Sequence, residues 1–334
     1  MNKYCPHRSS QSGVALIVVL LILAVMVSLA ATMSDRLFTS FKRAENQKYH
    51  QQAYWYAIGV EALAKYAVDE SKQDGDTINM SQPWALEEQV YPLDDGQAAG
   101  HIRDMQSCFN LNALAGELQT TGDSTKPYLV TVLQLTLEEL GVDSYKAEVI
   151  ADSAYEFLDS NDSAATNFGV EDSTYESLQP SYLTPGNVVA DASEFRAIYQ
   201  TDPIVMRLIA PILCAIPTDD WRLNVNTIDE NGAYLLTALF SPNLSLSDAQ
   251  ALVDNRPFDG WQSLDDFMDE SRIASIDGSI KERARGYLTV NSNYFELDAQ
   301  VMVEDSRVRI RSLLYSENGD DVEVVRRRFG GISE

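Results

Sequence analysis

The chain has 334 residues, with 50 Asp and Glu against 25 Lys and Arg, a net charge of −25. That length suggests two domains or one with a large insertion, and a hydrophobic share of 45% excludes wholesale disorder. So acidic a chain repels phosphate, which excludes nucleic-acid binding through a general basic patch, and three Cys with three scattered His argue against a zinc module.

Common catalytic signatures are absent: there is no Walker-A loop, dinucleotide glycine fingerprint, HExxH or GxSxG. Residues 1–13 are polar and carry Lys3, His7 and Arg8, whereas residues 14–33 hold no charge. A helix of that length spans about 30 Å, the thickness of a bilayer core. Positive charge ahead of the run orients residues 1–13 toward the cytoplasm. A signal peptide cut near Ala30 and Ala31, or an uncleaved signal anchor, would account for this much. Two details weigh against both. Gly13 precedes the apolar run, where a signal-peptide cut would follow it. The helical pattern also continues through Leu37, Phe41 and Ala44, then resumes as a stripe at Tyr56, Val60, Leu63, Ala64 and Ala67. Read as one helix from residue 14 to about 68, it is roughly 80 Å long, apolar all round at first and amphipathic later.

Residues 69–81 read as the end of this stem. Residues 88–93 and 98–104 form a predicted hairpin about Asp95-Gly96. From Leu114 to about Tyr287 the pattern is mostly helical. Residues 127–140 and 145–158 are amphipathic, with Pro127 suited to a first turn and Gly141 to a stop. Residues 159–185 form a long acidic loop. Residues 194–212 are helical again, with a break expected at Pro203. Three strands close the chain at 294–303, 307–316 and 322–329, the last two joined at Asn318-Gly319-Asp320.

The segment FNLNAL at 109–114 is echoed by LNVNTI at 223–228, each with a Cys upstream, Cys108 and Cys214. The echo suggests two related small helical units inserted in a β framework. Residues 223–270 look like a helix-hairpin-helix segment, a module that meets DNA phosphates with a glycine-rich hairpin. Here residues 241–247 contain no glycine, and Asp248, Asp254, Asp259, Asp265, Asp266, Asp269 and Glu270 crowd the region. A protein-contact unit is the better reading, with no nucleic acid as partner.

A short basic leader ending in Gly, followed by an apolar helix that continues as an amphipathic stem, resembles the N-terminus of type IV pilins and pseudopilins. In that superfamily a dedicated peptidase cuts after the Gly and methylates the new N-terminus. Carried onto this chain, the cut falls between Gly13 and Val14. Most members have Glu as the fifth mature residue; here it is Val18. The new amine has a pKa of about 8 and is mostly cationic at pH 7. Burying it among helices is costly unless a carboxylate pairs with it, and the fifth-position Glu neutralises the amine of the subunit ahead. A subunit with nothing ahead has no amine to neutralise, and its own Glu would be an uncompensated charge in lipid. Val18 is thus expected of a filament tip, although an ordinary membrane anchor could carry Val there too.

The leader, Val18, the two echoed segments, RPFDGWQSLDDF at 256–267 and the C-terminal strands together resemble the K family of minor pseudopilins in type II secretion. The resemblance implies an α+β, pilin-like fold: a long N-terminal helix packed on an antiparallel sheet, with a large inserted α-helical domain of two small SAM-like or helix-hairpin-helix-like units. The divisions would be a leader at 1–13, a transmembrane helix at 14–33, stem and first strands at 34–110, a first helical unit with the acidic loop at 111–221, a second at 222–290, and C-terminal strands at 291–334. It implies a non-enzymatic, single-pass protein of a Gram-negative inner membrane, its bulk in the periplasm. It would sit at the pseudopilus tip, start assembly with minor pseudopilins I and J above the major pseudopilin, and help export folded proteins through the outer-membrane secretin. Prepilin peptidase would process it. A membrane-anchored periplasmic calcium-binding domain unrelated to pili is the alternative.

Loss of the leader would remove Cys5 and leave Cys108 and Cys214. The periplasm permits disulfides, and closing a loop of about 100 residues would stabilise by roughly 4 to 5 kcal/mol; two buried free thiols are the other possibility. The acidic loop carries Asp159, Asn161, Asp162, Glu171, Asp172 and Glu176 without EF-hand spacing. Composition alone reads it as a solvated loop. The family resemblance implies calcium, with Asp159, Asp162, Glu171 and Asp172 as candidate ligands. Tyr54, Trp55 and Tyr56 are expected to pack the stem on its own sheet, with a partner contact as the other reading. Arg326, Arg327 and Arg328 fit either an edge-strand charge cluster or a partner contact.

Overall fold

The computed structural model describes residues 12–86, 89–116, 126–317 and 321–330. Most of the leader, Cys5, Glu88 and the Asn318-Gly319-Asp320 turn lie outside them.

Helix α1, Ser12–Gln73, runs without interruption for 62 residues, roughly 93 Å and about two turns longer than expected. Its first half touches nothing: Val14, Leu21, Met33, Leu37 and Phe41 are each more than half exposed. Its second half packs through Ala53, Ala57, Glu61, Ala64, Val68 and Ser71, spaced at three and four residues. This differs from the expected stripe, in which only Ala64 is buried. Small side chains let the helix approach the sheet closely, so the larger apolar residues fall on the neighbouring face.

Strands β1, Gln89–Leu93, and β2, Gly96–Asp104, form the first hairpin. The turn is Asp94-Asp95, one residue earlier than expected, and Gly96 already belongs to β2. A Cβ at Gly96 would collide with the Met302 carbonyl, so this glycine serves close strand approach rather than the turn. The chain then leaves the sheet through β3, Phe109–Asn110, and a 3-10 turn, Leu111–Ala115. Helices α2, Tyr128–Glu139, and α3, Ser144–Leu158, follow, separated at Gly141, whose φ of +88° suits glycine. After the acidic loop come α4, Asp172–Tyr175, a 3-10 turn at Ala192–Ala197, and α5, Pro203–Ile209. The helical stretch expected over 194–212 is interrupted at residues 198–202, just before Pro203. Pro203 opens α5 behind the N-cap Asp202, where a missing N–H costs nothing. Strands β4, Leu213–Cys214, and β5, Leu223–Asn224, lead to α6, Gly232–Leu239, α7, Leu246–Asp254, α8, Leu264–Met268, α9, Ser271–Ala274, and α10, Gly278–Arg285. Then come β6, Leu288–Thr289, and the long strands β7, Tyr294–Val303, β8, Ser306–Tyr315, and β9, Glu323–Phe329.

The main sheet is five-stranded, ordered β1-β2-β7-β8-β9 and antiparallel throughout. Helices α2 to α10 therefore fall between two neighbouring strands, β2 and β7. On β7, Phe295, Leu297, Ala299, Val301 and Val303 alternate into the core beneath α1. The inserted residues form a second core that runs from Phe109 to Leu288 through α2, α3 and α6.

The sequence echo has a structural counterpart. β3 pairs in parallel with β4, and β5 with β6. Asn110 Oδ1 accepts from Asn112 N, and Asn224 Oδ1 from Asn226 N. Asn112 then bridges to Val189 through both its N–H and C=O, as Asn226 does to Trp261. Each Asn-x-Asn segment thus satisfies buried backbone groups of a distant loop.

Candidate functional site

At the membrane end, Gly13 has open space around it and Val14 and Val18 are exposed on α1. The helix is long and apolar enough to cross a bilayer once, with no part of the apolar stretch buried in the protein. Val18 is uncharged, so this end carries no acidic group before Asp35.

The insert is tied to the sheet at its exit and return. Cys108 and Cys214 form a disulfide across 106 residues, with Cα atoms 5.8 Å apart. It sits in a small cluster with Met105, Ile216 and Leu313, the last from β8. Asp104, at the end of β2, is 2% exposed. Its Oδ2 accepts from Ser292 Oγ at 2.6 Å, Thr227 Oγ1 at 2.5 Å and Asn224 Nδ2 at 3.3 Å, and its Oδ1 from Gln106 N at 2.7 Å. One carboxylate therefore joins the chain leaving the sheet, the chain returning to it and the second Asn-x-Asn segment. Burial pushes the Asp104 pKa up despite these donors.

The acidic loop is organised by two carboxylates of α3. Glu156 is buried, and its Oε1 accepts from Ala165 N, Thr166 N and Thr166 Oγ1. Asp152 Oδ2 accepts from Phe168 N, and its Oδ1 lies 2.7 Å from Lys126 Nζ. Asp159 caps the end of α3, Asp162 is exposed, and Glu171 precedes α4. Burial, then the charges of Glu156, Asp159 and Asp162, push the Glu171 carboxyl up to about 7. Two buried oxygens, Glu156 Oε2 and Glu171 Oε1, have no hydrogen-bond donor. Three of the four candidate ligands thus share one electrostatic environment. Asp172 is engaged elsewhere, its Oδ1 accepting from Thr184 N and Oγ1. Among the described residues, no three carboxylate, imidazole or thiol groups stand close enough to hold an ion as placed. Carboxylate oxygens are the donor type that a hard cation such as calcium takes, and Glu156 is the carboxylate of this cluster that sequence reasoning missed.

Beside the stem, the face of α1 carrying Tyr56, Val60, Leu63 and Ala67 borders an apolar groove of about 360 Å³ shared with Trp84 and Tyr91.

Comparison with known proteins places these features. Family models described as Type II secretion system (T2SS), protein K match residues 107–218 and 223–291. The type II secretion system protein K of Aeromonas hydrophila is 36% identical, over 98% of this chain and 99% of its own length. The chain belongs to the type II secretion system protein K family. The corresponding protein of Pectobacterium carotovorum is also 36% identical, over 97% of this chain and 98% of its own. A chain in the crystal structure of the GspK-GspI-GspJ complex from enterotoxigenic Escherichia coli superposes with a TM-score of 0.80 at 34% identity. The match covers 87% of this chain and all of that one.

Some structural residues of this protein K relative left little trace in the sequence. Glu61 of α1 is 4% exposed and accepts from Arg327 Nε at 2.7 Å. Its only sequence signal was a lone charge within the apolar stretch 57–64. Arg326 and Arg328 reach the opposite way, to the Ala190 carbonyl and Asp191 of the insert. Both neighbours of Arg327 therefore fasten the insert to the edge strand. Tyr54 stacks on Phe329 with ring centroids 4.8 Å apart, while Trp55 is 69% exposed, so the aromatic cluster packs on its own sheet only in part.

Proposed function

We propose that this protein is a minor pseudopilin at the tip of the type II secretion pseudopilus. It starts pseudopilus assembly with minor pseudopilins I and J and helps move folded proteins toward the outer-membrane secretin. The observation that carries the reading is the match, at a TM-score of 0.80, to a chain solved in a GspK-GspI-GspJ complex. Val18 supports the tip position, because a subunit with no neighbour ahead has no cationic amine to neutralise. The apolar groove beside Leu63 offers a surface to a neighbouring subunit below. The role is structural rather than catalytic.

In this reading prepilin peptidase cuts between Gly13 and Val14, the apolar part of α1 holds the chain in the inner membrane, and the sheet and insert lie in the periplasm. The two helical units meet near residue 222 and form a head broader than the stem. Calcium binds at the acidic loop, held by Glu171, Asp159, Asp162 and Glu156. Its chemistry there is charge neutralisation of crowded carboxylates.

Intact mass and N-terminal sequencing, with and without prepilin peptidase, test the first step. An N-methylated Val14 end that depends on the peptidase supports the pseudopilin reading. A retained Met1, or a cut near Ala31, overturns it and favours the anchored-domain alternative. Co-purification with I and J tests the tip complex: a processed chain that recruits neither would not be a tip subunit.

A further inference from the structure

An arginine cleft stands out in this strongly acidic chain. It encloses about 840 Å³ between the end of β2 and helix α5, with Arg103, Arg196 and Arg207 around Met206 and Pro211. Arg103 Nη2 donates to the Pro211 carbonyl at 2.9 Å, and Arg196 Nε to the Ser193 carbonyl at 2.6 Å. Among the described residues, none of the three has an ion-pair partner. The one carboxylate in the lining is Asp202, and it is already engaged. It caps α5 through Ile204 N and Val205 N and lies against Lys146. The cleft is therefore net positive within a chain of net charge −25. Nearby, Arg326 donates to the Ala190 carbonyl, three positions before Ser193, while Arg328 is compensated by Asp191.

The same helix carries an unusual apolar pair. Val205 and Ile209 are buried, as a helix of the insert requires, but Ile204 is 66% exposed and Leu208 is 37% exposed; they stand outside the cleft on the adjoining face, each next in sequence to a lining residue, Pro203 and Arg207. Guanidinium groups offer forked donors that match carboxylates and phosphates. A small phosphate would use the arginines and leave Ile204 and Leu208 idle. A lipid headgroup is out of reach. The apolar run ends at residue 33 and α1 continues to Gln73, which sets the insert about 60 Å from the bilayer.

We propose that the Arg103–Arg196–Arg207 cleft docks an acidic segment of another polypeptide, its carboxylates on the arginines and its apolar side chains on Ile204 and Leu208. The proposal goes beyond the pseudopilus reading and does not depend on it.

The test is fluorescence anisotropy on the full chain in a non-ionic detergent. The probe is a labelled helical peptide with Glu and Leu at three- and four-residue spacing, compared with the same peptide carrying Gln for Glu. The acidic peptide is expected to bind saturably and about tenfold or more tightly than the Gln peptide. Its binding should weaken as salt rises from about 0.05 to about 0.3 M. The double variant Arg196→Gln/Arg207→Gln is expected to lose about tenfold or more with an unchanged melting temperature. Arg196→Lys/Arg207→Lys should retain more binding than the Gln variant, since charge persists without the fork. Equal binding of both peptides, no binding, or binding indifferent to the Gln variant would overturn the proposal. So would displacement by inorganic phosphate at peptide-like concentrations, which would mark a small-anion site.

Discussion

Arg327 on the edge strand β9 closes on Glu61 of α1, 266 residues away in sequence, with Nε donating to Oε2 at 2.7 Å. Ser312 Oγ, on β8, donates to the same carboxylate oxygen. Burial alone would raise the Glu61 pKa. The hydrogen bonds from Arg327 and Ser312 and the Arg327 charge outweigh it, and the net shift is downward. A carboxylate with a depressed folded pKa stabilises the protein above its unfolded pKa, and that stability disappears as pH falls through the folded value. Arg327 is 38% exposed, so water screens part of the attraction. Glu61→Gln is expected to cost about 1 to 3 kcal/mol at neutral pH. Urea unfolding at pH 7 and at strongly acid pH checks it: the gap between wild type and variant should shrink in acid. A gap of the same size at both would mean that packing, not charge, explains the loss.

Asp104 is expected to be more sensitive still. Asp104→Ala removes the buried acceptor of Ser292 Oγ and the Gln106 N–H, and leaves Thr227 and Asn224 only their bonds to the Asn224 carbonyl, the Ile78 carbonyl and Ser292 Oγ. Each buried donor left unsatisfied costs about 1 to 3 kcal/mol. Because this network joins both crossings between sheet and insert, the variant should show early proteolytic cleavage near residues 105 and 293. Cleavage confined to the acidic loop would place the weak point elsewhere.

The Cys108–Cys214 bridge closes a loop of 106 residues, which in the chain-entropy model is worth roughly 4 to 5 kcal/mol. Both sulfurs are buried at the base of the insert. Cys108→Ser/Cys214→Ser, or the reduced protein, is expected to unfold at clearly lower denaturant, with β7–β9 and α1 still protected longest in hydrogen exchange. Unchanged stability on reduction would show that the surrounding cluster of Met105, Ile216 and Leu313 holds the junction by itself.

The acidic loop makes a pH prediction of opposite sign. Glu171 is pushed up to about 7, chiefly by burial and then by the charges of Glu156, Asp159 and Asp162. A carboxyl with a raised folded pKa favours folding fully below its unfolded value of about 4.3, and that contribution fades as pH rises through about 7. Without calcium, local stability of residues 159–171 should fall between about pH 5 and pH 7. Calcium at 100 times its dissociation constant would add about 2.7 kcal/mol of stability and should abolish most of that fall. Glu156→Gln should weaken the calcium effect, while Asp172→Asn should change it little, because Asp172 Oδ1 is held by Thr184. Thermal unfolding with calcium or chelator decides: a melting temperature indifferent to calcium at pH 7 removes the site.

Elements with strong local periodicity were legible in the sequence. The bounds of β7 and α3 differ from expectation by at most one residue, because alternation and caps act within a few positions. The face of α1 was misread, since hydrophobicity ranks Leu63 and Tyr56 above Ala53 and Ala57, and close packing prefers the alanines. The Asn-x-Asn echo was visible, but its meaning was not: Asn112 and Asn226 bind backbone groups 77 and 35 residues away. Glu156 was invisible for the same reason. Its loop partners are fixed by tertiary closure, and an internal Glu on an amphipathic helix looks like any solvated charge.

Val18 offers the most direct check on position within a filament. In a subunit buried among others, an acidic group there would meet the cationic amine of the subunit ahead and gain from it. At the tip it would meet only lipid and neighbouring apolar helices, at a cost of roughly 2.5 to 3.5 kcal/mol when central in the bilayer and less near its edge. Val18→Glu should therefore leave membrane insertion and peptidase cleavage at Gly13 intact. It should lower the yield of complex with minor pseudopilins I and J by a few-fold. The variant's yield can be read by cross-linking in membranes against the wild-type chain, with Val18→Leu as the size control. If Glu at this position instead raises the yield, another subunit's amine lies within reach of it, and the chain stands below the tip rather than at it.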